Sequence, residues 1–141
     1  MIPRIQHILV PVDFTKKNDV ALDMACDTAV HNQARVTLLH VIMKFEFVDE
    51  EMKDYYVRLE TAADKQLERM AQRFIDAKVN VDVKVHFGSR AGEIVQCAKD
   101  HNVGLIVMSS HTIDPENLPK SLGTVSYQVA MLCQCPVMLV K

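Results

Sequence analysis

The sequence contains no long apolar run and no excess of charge of either sign. No stretch reaches the 18 or so consecutive apolar residues of a membrane-spanning helix, so no membrane span is predicted. Sixteen Lys and Arg residues against 18 Asp and Glu residues give a net charge of −2, which argues against a nucleic-acid-binding protein. The first apolar stretch runs directly into Asp13 without a signal-peptide cleavage region, so we expect a cytoplasmic protein.

Cysteine is also scarce, and its spacing does not predict a metal site or a disulfide scaffold. Cys26 and Cys97 lie on the apolar faces of predicted helices, where a thiol packs as a small hydrophobic group. Cys133 and Cys135 form the only close pair, and they lack the second pair of Cys or His ligands typical of a zinc site. We favour a packing role for this pair, with a redox or metal role as the alternative.

What the chain does have is an ordinary globular composition in a regular alternation of elements. Hydrophobic residues make up 49% of the 141 residues and charged residues 24%, which suits one domain spanning residues 1–141. Short apolar runs rich in β-branched residues alternate with segments whose apolar residues recur at helical spacing. The predicted strands are 7–12, 35–42, 79–87, 105–108 and 135–141.

This alternation predicts an α/β fold with an open, five-stranded parallel sheet and helices on both faces. The third strand alternates strictly between apolar and polar residues, so it is half exposed and belongs at an edge of the sheet. Right-handed crossovers with a single reversal of direction then favour the strand order 3-2-1-4-5.

In such a sheet, ligands bind beyond the carboxyl ends of the strands where the order reverses, here between strands one and four. Asp13 follows strand one, where its carboxylate either binds ribose, adenine or a metal, or caps the turn into the first helix. Gly123 and Thr124 open the last helix, where they either bind an anion or only form the turn and the cap. His111 has no partner for a triad, so no catalytic residue is predicted.

Four stretches together resemble the universal stress protein (UspA) family over nearly the whole chain: ILVPVDFT, ARVTLLHVI, HFGSRAGEIVQCAKDHNVGLIVMSSH and LGTVSYQVAMLCQCPVMLVK. The resemblance implies an adenine nucleotide alpha hydrolase-like fold and a small cytoplasmic homodimer that serves stress adaptation through protein partners rather than as an enzyme. The resemblance also allows weak ATP hydrolysis. Members of the family pair through the last strand, which here gives the candidate interface Pro136, Val137, Met138, Leu139 and Val140.

The family divides into members that bind ATP and members that do not. Binders carry Gly-x-x-Gly, nine further residues, and Gly-Ser or Gly-Thr. Ser109 and Thr112 stand where the first two glycines would be, and ten residues separate Thr112 from Gly123. The loop also carries Asp114 and Glu116, which repel a triphosphate. We therefore predict a degenerate ATP motif.

The positions that match the family's adenosine pocket are intact, which leaves a second function open. The alternative to a protein that acts only through partners is a nucleotide-binding switch that holds AMP or ATP, with Mg²⁺ in the case of ATP. The candidate nucleotide-binding residues are Pro11, Val12, Asp13, Val41, Gly88, Met108, Ser109, Thr112, Gly123, Thr124 and Val125.

Overall fold

Strands and helices alternate along the chain in the computed structural model, which describes residues 4–44, 49–110, 115–117, 119 and 123–141. The elements are β1 (His7–Pro11), α1 (Asn18–Asn32), β2 (Arg35–Ile42), α2 (Glu50–Asp76), β3 (Val81–Phe87), α3 (Arg90–Asp100), β4 (Leu105–Ser109), a 3₁₀ turn (Pro115–Asn117), α4 (Val125–Leu132) and β5 (Val137–Val140). His111 and Thr112, a candidate nucleotide-binding residue, lie outside the described residues.

The five strands form one parallel sheet in the order β3-β2-β1-β4-β5, which confirms the predicted fold class and strand order. The first strand is central: Ile8 pairs with Val36 of β2 on one side and with Leu105 of β4 on the other. Strand β3 lies at one edge, as its alternating sequence predicts, and β5 lies at the other.

Helices cover both faces because successive side chains of each buried strand point in opposite directions. Ile8 and Val10 of β1 pack in a core with α1 and α2, in which Phe74 is fully buried. Leu9, the residue between them, packs in a second core with α3 and α4, which includes Ile94 and Val129. The sheet is therefore sandwiched between two helical layers, and its strand ends are left for a binding site.

Helices α2 and α3 begin with side-chain caps, and α1 does not. Asp49 accepts a hydrogen bond from the Met52 N–H at 2.8 Å to begin α2, and Ser89 accepts one from the Gly92 N–H at 3.4 Å to begin α3. Helix α1 has no side-chain cap at its first residue. The polar side chains before α1 are used instead to shape the loop after β1.

Candidate functional site

A cavity of about 170 Å³ opens at the carboxyl ends of β1 and β4, where the order of the strands reverses. The loop after β1 forms one wall, and the first turn of α4 forms another. The residues that line the cavity are Pro11, Val12, Asp13, Asn18, Leu39, His40, Val41, Arg90, Ile94, Met108, Ser109, Thr124, Val125 and Ser126. The cavity thus combines an apolar floor of strand residues with a polar rim.

Asn18 ties the two central strand ends together at the side of this cavity. It is 2% exposed, and its Oδ1 accepts a hydrogen bond from the Asp13 N–H at 3.0 Å. Its Nδ2 donates to Ser109 Oγ at 3.0 Å, and that hydroxyl donates in turn to the Lys17 carbonyl at 3.1 Å. The Ser109 hydroxyl is therefore part of the scaffold that joins β4 to the start of α1.

The Asp13 carboxylate is held in place by the residues that follow it. Its Oδ1 accepts hydrogen bonds from the Thr15 N–H at 3.0 Å and from the Thr15 hydroxyl at 2.7 Å. Partial burial acts to raise the pKa of Asp13, but the hydrogen bonds from Thr15 and Asn18 outweigh it and lower the pKa below its ordinary value. At neutral pH the rim of the cavity therefore carries a fixed negative charge.

His40 supports the loop after β1 from strand β2. Its Nδ1 lies 2.8 Å from the Val12 carbonyl, which only accepts, so Nδ1 carries the proton. The ring lies against Phe14 with 4.2 Å between the ring centroids. Phe14 has a φ of 65°, in the left-handed region that a non-glycine residue enters at a cost of about 1 kcal/mol. The ring contact and the His40 hydrogen bond hold this tight turn.

Gly88 and Arg90 lie where β3 turns into α3. Gly88 has a φ of 145°, and a Cβ there would lie 2.8 Å from Glu93 Oε1, so only glycine fits the turn into α3. Gly88 does not line the cavity, whereas Arg90, the first residue of α3, does. Arg90 makes no hydrogen bond or ion pair within the described parts of the chain. Its guanidinium is thus an available positive charge at the rim.

The first turn of α4 brings hydroxyl groups to the cavity. Thr124 and Ser126 both line it, with their oxygens 3.3 Å apart, and Ser126 Oγ donates to Ser110 Oγ at 3.2 Å. Thr124 makes no side-chain cap to the helix. Because the first N–H groups of a helix favour negative charge, this corner suits a small anion. The Gly123 N–H donates to the Pro119 carbonyl at 3.2 Å, and Gly123 does not line the cavity.

The family model that matches this chain is described as "Universal stress protein family", and it matches residues 4–141. The chain belongs to this family. It is similar to the universal stress protein YxiE of Bacillus subtilis (strain 168), with 30% identity over 95% of this chain and 97% of YxiE. Resemblance to the UspA family, inferred from four stretches of sequence, is thereby confirmed.

Solved structures agree in fold. The hypothetical protein MJ0577 is 30% identical, with a TM-score of 0.85 over 99% of this chain and 97% of that one. A universal stress protein from Archaeoglobus fulgidus in complex with dAMP has a TM-score of 0.73 over 99% of this chain and all of that one. At 16% identity, that second likeness shows the fold alone.

Most of the candidate nucleotide-binding residues meet at the cavity of this universal stress protein. Eight of them line it: Pro11, Val12, Asp13, Val41, Met108, Ser109, Thr124 and Val125. Gly88 and Gly123 lie in the adjoining turns, and Thr112 lies outside the described residues.

Sequence reasoning missed six lining residues: Asn18, Leu39, His40, Arg90, Ile94 and Ser126. Two of these six residues have a sequence feature that could have identified them. His40 is the one titratable side chain inside the apolar strand RVTLLHVI beyond its first residue, and Asn18 precedes the apolar stripe of α1. Arg90 follows a capping serine, and nothing in the sequence distinguishes it from a solvated arginine.

The described residues of the cavity provide groups that can bind a polar ligand. Among the described residues, no three His, Cys, Asp or Glu side chains lie close enough together to hold a metal ion. Nor does any helix in those parts of the chain have the length and hydropathy needed to cross a membrane. A carboxylate on one side and an arginine with a helix N-terminus on the other suit a polar ligand that carries an anionic group.

Proposed function

We propose that this universal stress protein acts in the cytoplasm by binding and not by catalysis, as a homodimer that engages protein partners. We further propose that its cavity takes an adenosine or AMP-like ligand in preference to ATP. The observation that carries this preference is the position of Ser109. Its hydroxyl is bound to Asn18 and Lys17 where ATP-binding relatives have a glycine that leaves room for phosphate.

The nucleoside half of such a ligand is supported by the walls next to β1 and β2. Val12 and Val41 provide apolar surface for a base, and the Asp13 carboxylate is held charged at the rim, where it accepts from ribose hydroxyls. The universal stress protein from Archaeoglobus fulgidus in complex with dAMP shows that another protein of this fold binds an adenine monophosphate.

The phosphate half is supported by the first turn of α4 and by Arg90. The N–H groups of this first turn favour negative charge, and Arg90 offers a positive charge at the cavity. One phosphate fits this arrangement. The segment between β4 and α4 carries Asp114 and Glu116 in its sequence, and like charges oppose the binding of two further phosphates.

Calorimetric titration of AMP, and of ATP with Mg²⁺, tests the ligand preference directly. We expect AMP to bind at least tenfold more tightly than ATP, a difference of about 1.4 kcal/mol. Asp13→Asn should weaken AMP binding at least tenfold, while Asp64→Asn on the exposed face of α2 provides a matched control with unchanged affinity. Tighter binding of ATP than of AMP, or equal AMP affinity in the Asp13 variant, would contradict the proposal.

The proposed homodimer is supported by the edge of the sheet at β5, through Pro136, Val137, Met138, Leu139 and Val140. Within the described ranges, β5 pairs only with β4, and its sequence VMLV carries no charge. The Ser110 N–H donates to the Val140 carbonyl at 2.8 Å. Because backbone groups alternate in direction along a strand, those of Val137 and Leu139 face the open edge.

A proline substitution at each edge of the sheet tests this pairing. Leu139→Pro removes an outward N–H without removing a bond to β4, so we expect the dimer to dissociate. The matched control is Val85→Pro in β3, whose N–H also faces outward because Gly88, three residues on, donates inward to the Ile42 carbonyl at 3.0 Å. Light scattering should give a monomer for the first variant and a dimer for the second; a dimer for Leu139→Pro would overturn the β5 interface.

A further inference from the structure

Two thiols lie side by side at the amino end of β5, far along the sheet from the cavity. Cys133 and Cys135 flank the bend between α4 and β5, and their Sγ atoms are 3.2 Å apart. Both are free and half-buried. Gln134 between them is exposed, so the bend reaches solvent.

The backbone on both sides of the pair is fixed by hydrogen bonds. The Cys133 N–H donates to the Val129 carbonyl at 2.8 Å, which ends α4. The Pro136 carbonyl accepts from the Ile106 N–H at 3.0 Å, which begins the pairing of β5 with β4. Both thiols also pack against the core beneath α3 and α4. The folded chain therefore holds the two sulfurs together, and closure to a disulfide of about 2.0 Å needs a movement of only about 1 Å.

The other two cysteines have no such neighbour. Cys97 is 2% exposed in the core of α3. Cys26 lies on α1 with its thiol 4.0 Å from the Arg73 carbonyl. Burial raises the pKa of both thiols, which favours their protonated forms. They provide internal controls for the pair on the bend.

We propose that Cys133 and Cys135 form a dithiol that a low-molecular-weight disulfide, of the glutathione type, reversibly oxidises to an intramolecular disulfide. The Cys133 thiol gives its proton to water and attacks one sulfur of the oxidant, which releases one small thiolate and leaves a mixed disulfide. The Cys135 thiol then loses its proton and attacks the Cys133 sulfur, which closes the protein disulfide and releases the second small thiolate. Two electrons pass from the protein to the oxidant, and the two released thiolates take up the two protons.

The order of the two attacks follows from the surroundings of Cys135. Burial, together with the hydrogen bond and the charge of Cys133, raises the pKa of Cys135 to about 12, so this thiol keeps its proton at the start. The contributions of Cys133 disappear once Cys133 is in a mixed disulfide. Burial, the largest cause of the raised pKa of Cys135, remains, and Cys135 acts as the resolving thiol because its sulfur lies beside that of Cys133.

Equilibration of the full chain with mixtures of reduced and oxidised glutathione tests the proposal, with acid quenching, alkylation and intact mass as the readout. The native chain should form one internal disulfide with an equilibrium constant at least tenfold higher than that of the urea-denatured chain. That ratio corresponds to about 30 mV. Since the spacing in sequence is the same in both states, the ratio isolates the effect of the folded geometry.

Single substitutions resolve the two steps. Cys135→Ser should accumulate a mixed disulfide with glutathione at Cys133, while Cys26→Ser should behave as the unmodified chain. An equilibrium constant for the native chain no higher than for the denatured chain would overturn the proposal. So would a disulfide that peptide mapping assigns to two different chains or to Cys97. The comparison of native and denatured states needs no variant, so it decides the matter even where a substitution prevents folding.

Discussion

Two buried polar side chains hold the opposite ends of the sheet, and they differ in what they can sense. At the carboxyl end, Asn18 is 2% exposed and joins the loop after β1 to Ser109 of β4. At the amino end, His7 is 4% exposed; its Nε2 lies 2.8 Å from the Thr37 hydroxyl and its Nδ1 lies 3.2 Å from the His101 carbonyl. Each side chain makes two hydrogen bonds and joins segments that are distant in sequence, Asn18 through Ser109 and His7 through Thr37 and His101.

The amide of Asn18 has no proton to gain or lose near neutral pH, whereas the imidazole of His7 does. The His101 carbonyl only accepts, so Nδ1 of His7 carries the proton and Nε2 accepts from Thr37. Burial lowers the pKa of His7 below the ordinary 6.5, although the bond to His101 opposes this. His7 therefore makes the stability of the amino end of the sheet depend on pH. Asn18 at the carboxyl end does not titrate, and it lines the cavity.

Asn18→Ala has the largest expected effect on the free energy of unfolding. It removes the part-buried hydrogen bonds to the Asp13 N–H and to the Ser109 hydroxyl, which keeps its bond to the Lys17 carbonyl, so we expect a loss of about 2 kcal/mol in the free energy of unfolding. The AMP affinity should fall as well because Asn18 lines the cavity. Urea unfolding and calorimetry measure the two effects. Asn32→Ala on the same helix, where the side chain makes one bond to the Thr28 carbonyl, should cost less than about 1 kcal/mol.

Acidification acts on the amino end with a smaller effect. The unfolded chain protonates His7 near pH 6.5 and the folded chain only at lower pH, so the unfolded state binds more protons in that interval. Stability is therefore fully present above pH 6.5 and falls by up to about 1.4 kcal/mol per pH unit below it.

His7→Gln removes this titration, so its urea-unfolding free energy should lose the slope that this residue contributes below pH 6.5. The control His31→Gln, on the exposed face of α1, should retain the slope of the unmodified chain. An unchanged slope in His7→Gln would show that another group is responsible.

Among Asn18, His7 and Asp13, Asp13 has the smallest expected effect on the free energy of unfolding. Its pKa is also lowered, but here the charged form is favoured, so its contribution is present above the unfolded pKa of 3.8 and is lost as pH falls through the lower folded value. Asp13→Asn should therefore reduce the free energy of unfolding at pH 7 by less than about 1 kcal/mol, because the side chain is exposed. The difference from the unmodified chain should vanish once the pH lies below the lowered folded pKa of Asp13; a difference that persists there would point to a packing role.

The fold was predictable because the pattern of apolar residues in each strand indicates which of its faces are buried. The uninterrupted apolar strands β1 and β4 require burial on both faces, and the alternation in Val81–Phe87 requires a half-exposed edge. The position of the cavity then follows from the strand order alone. Its detailed lining does not, because the bond from Asn18 to Ser109 joins residues that are 91 positions apart. Arg90 and His40 reach the cavity through comparable packing of whole elements, which local patterns do not encode.

The central place of β1 also has a consequence for the time at which the site comes into being. During synthesis, β1 and its partner β2 leave the ribosome early, but the pairing of Ile8 with Leu105 has to wait until β4 has emerged. Until then β1 has an unpaired side, and Asn18 lacks Ser109. The nascent chain therefore cannot complete this cavity before β4 joins the sheet.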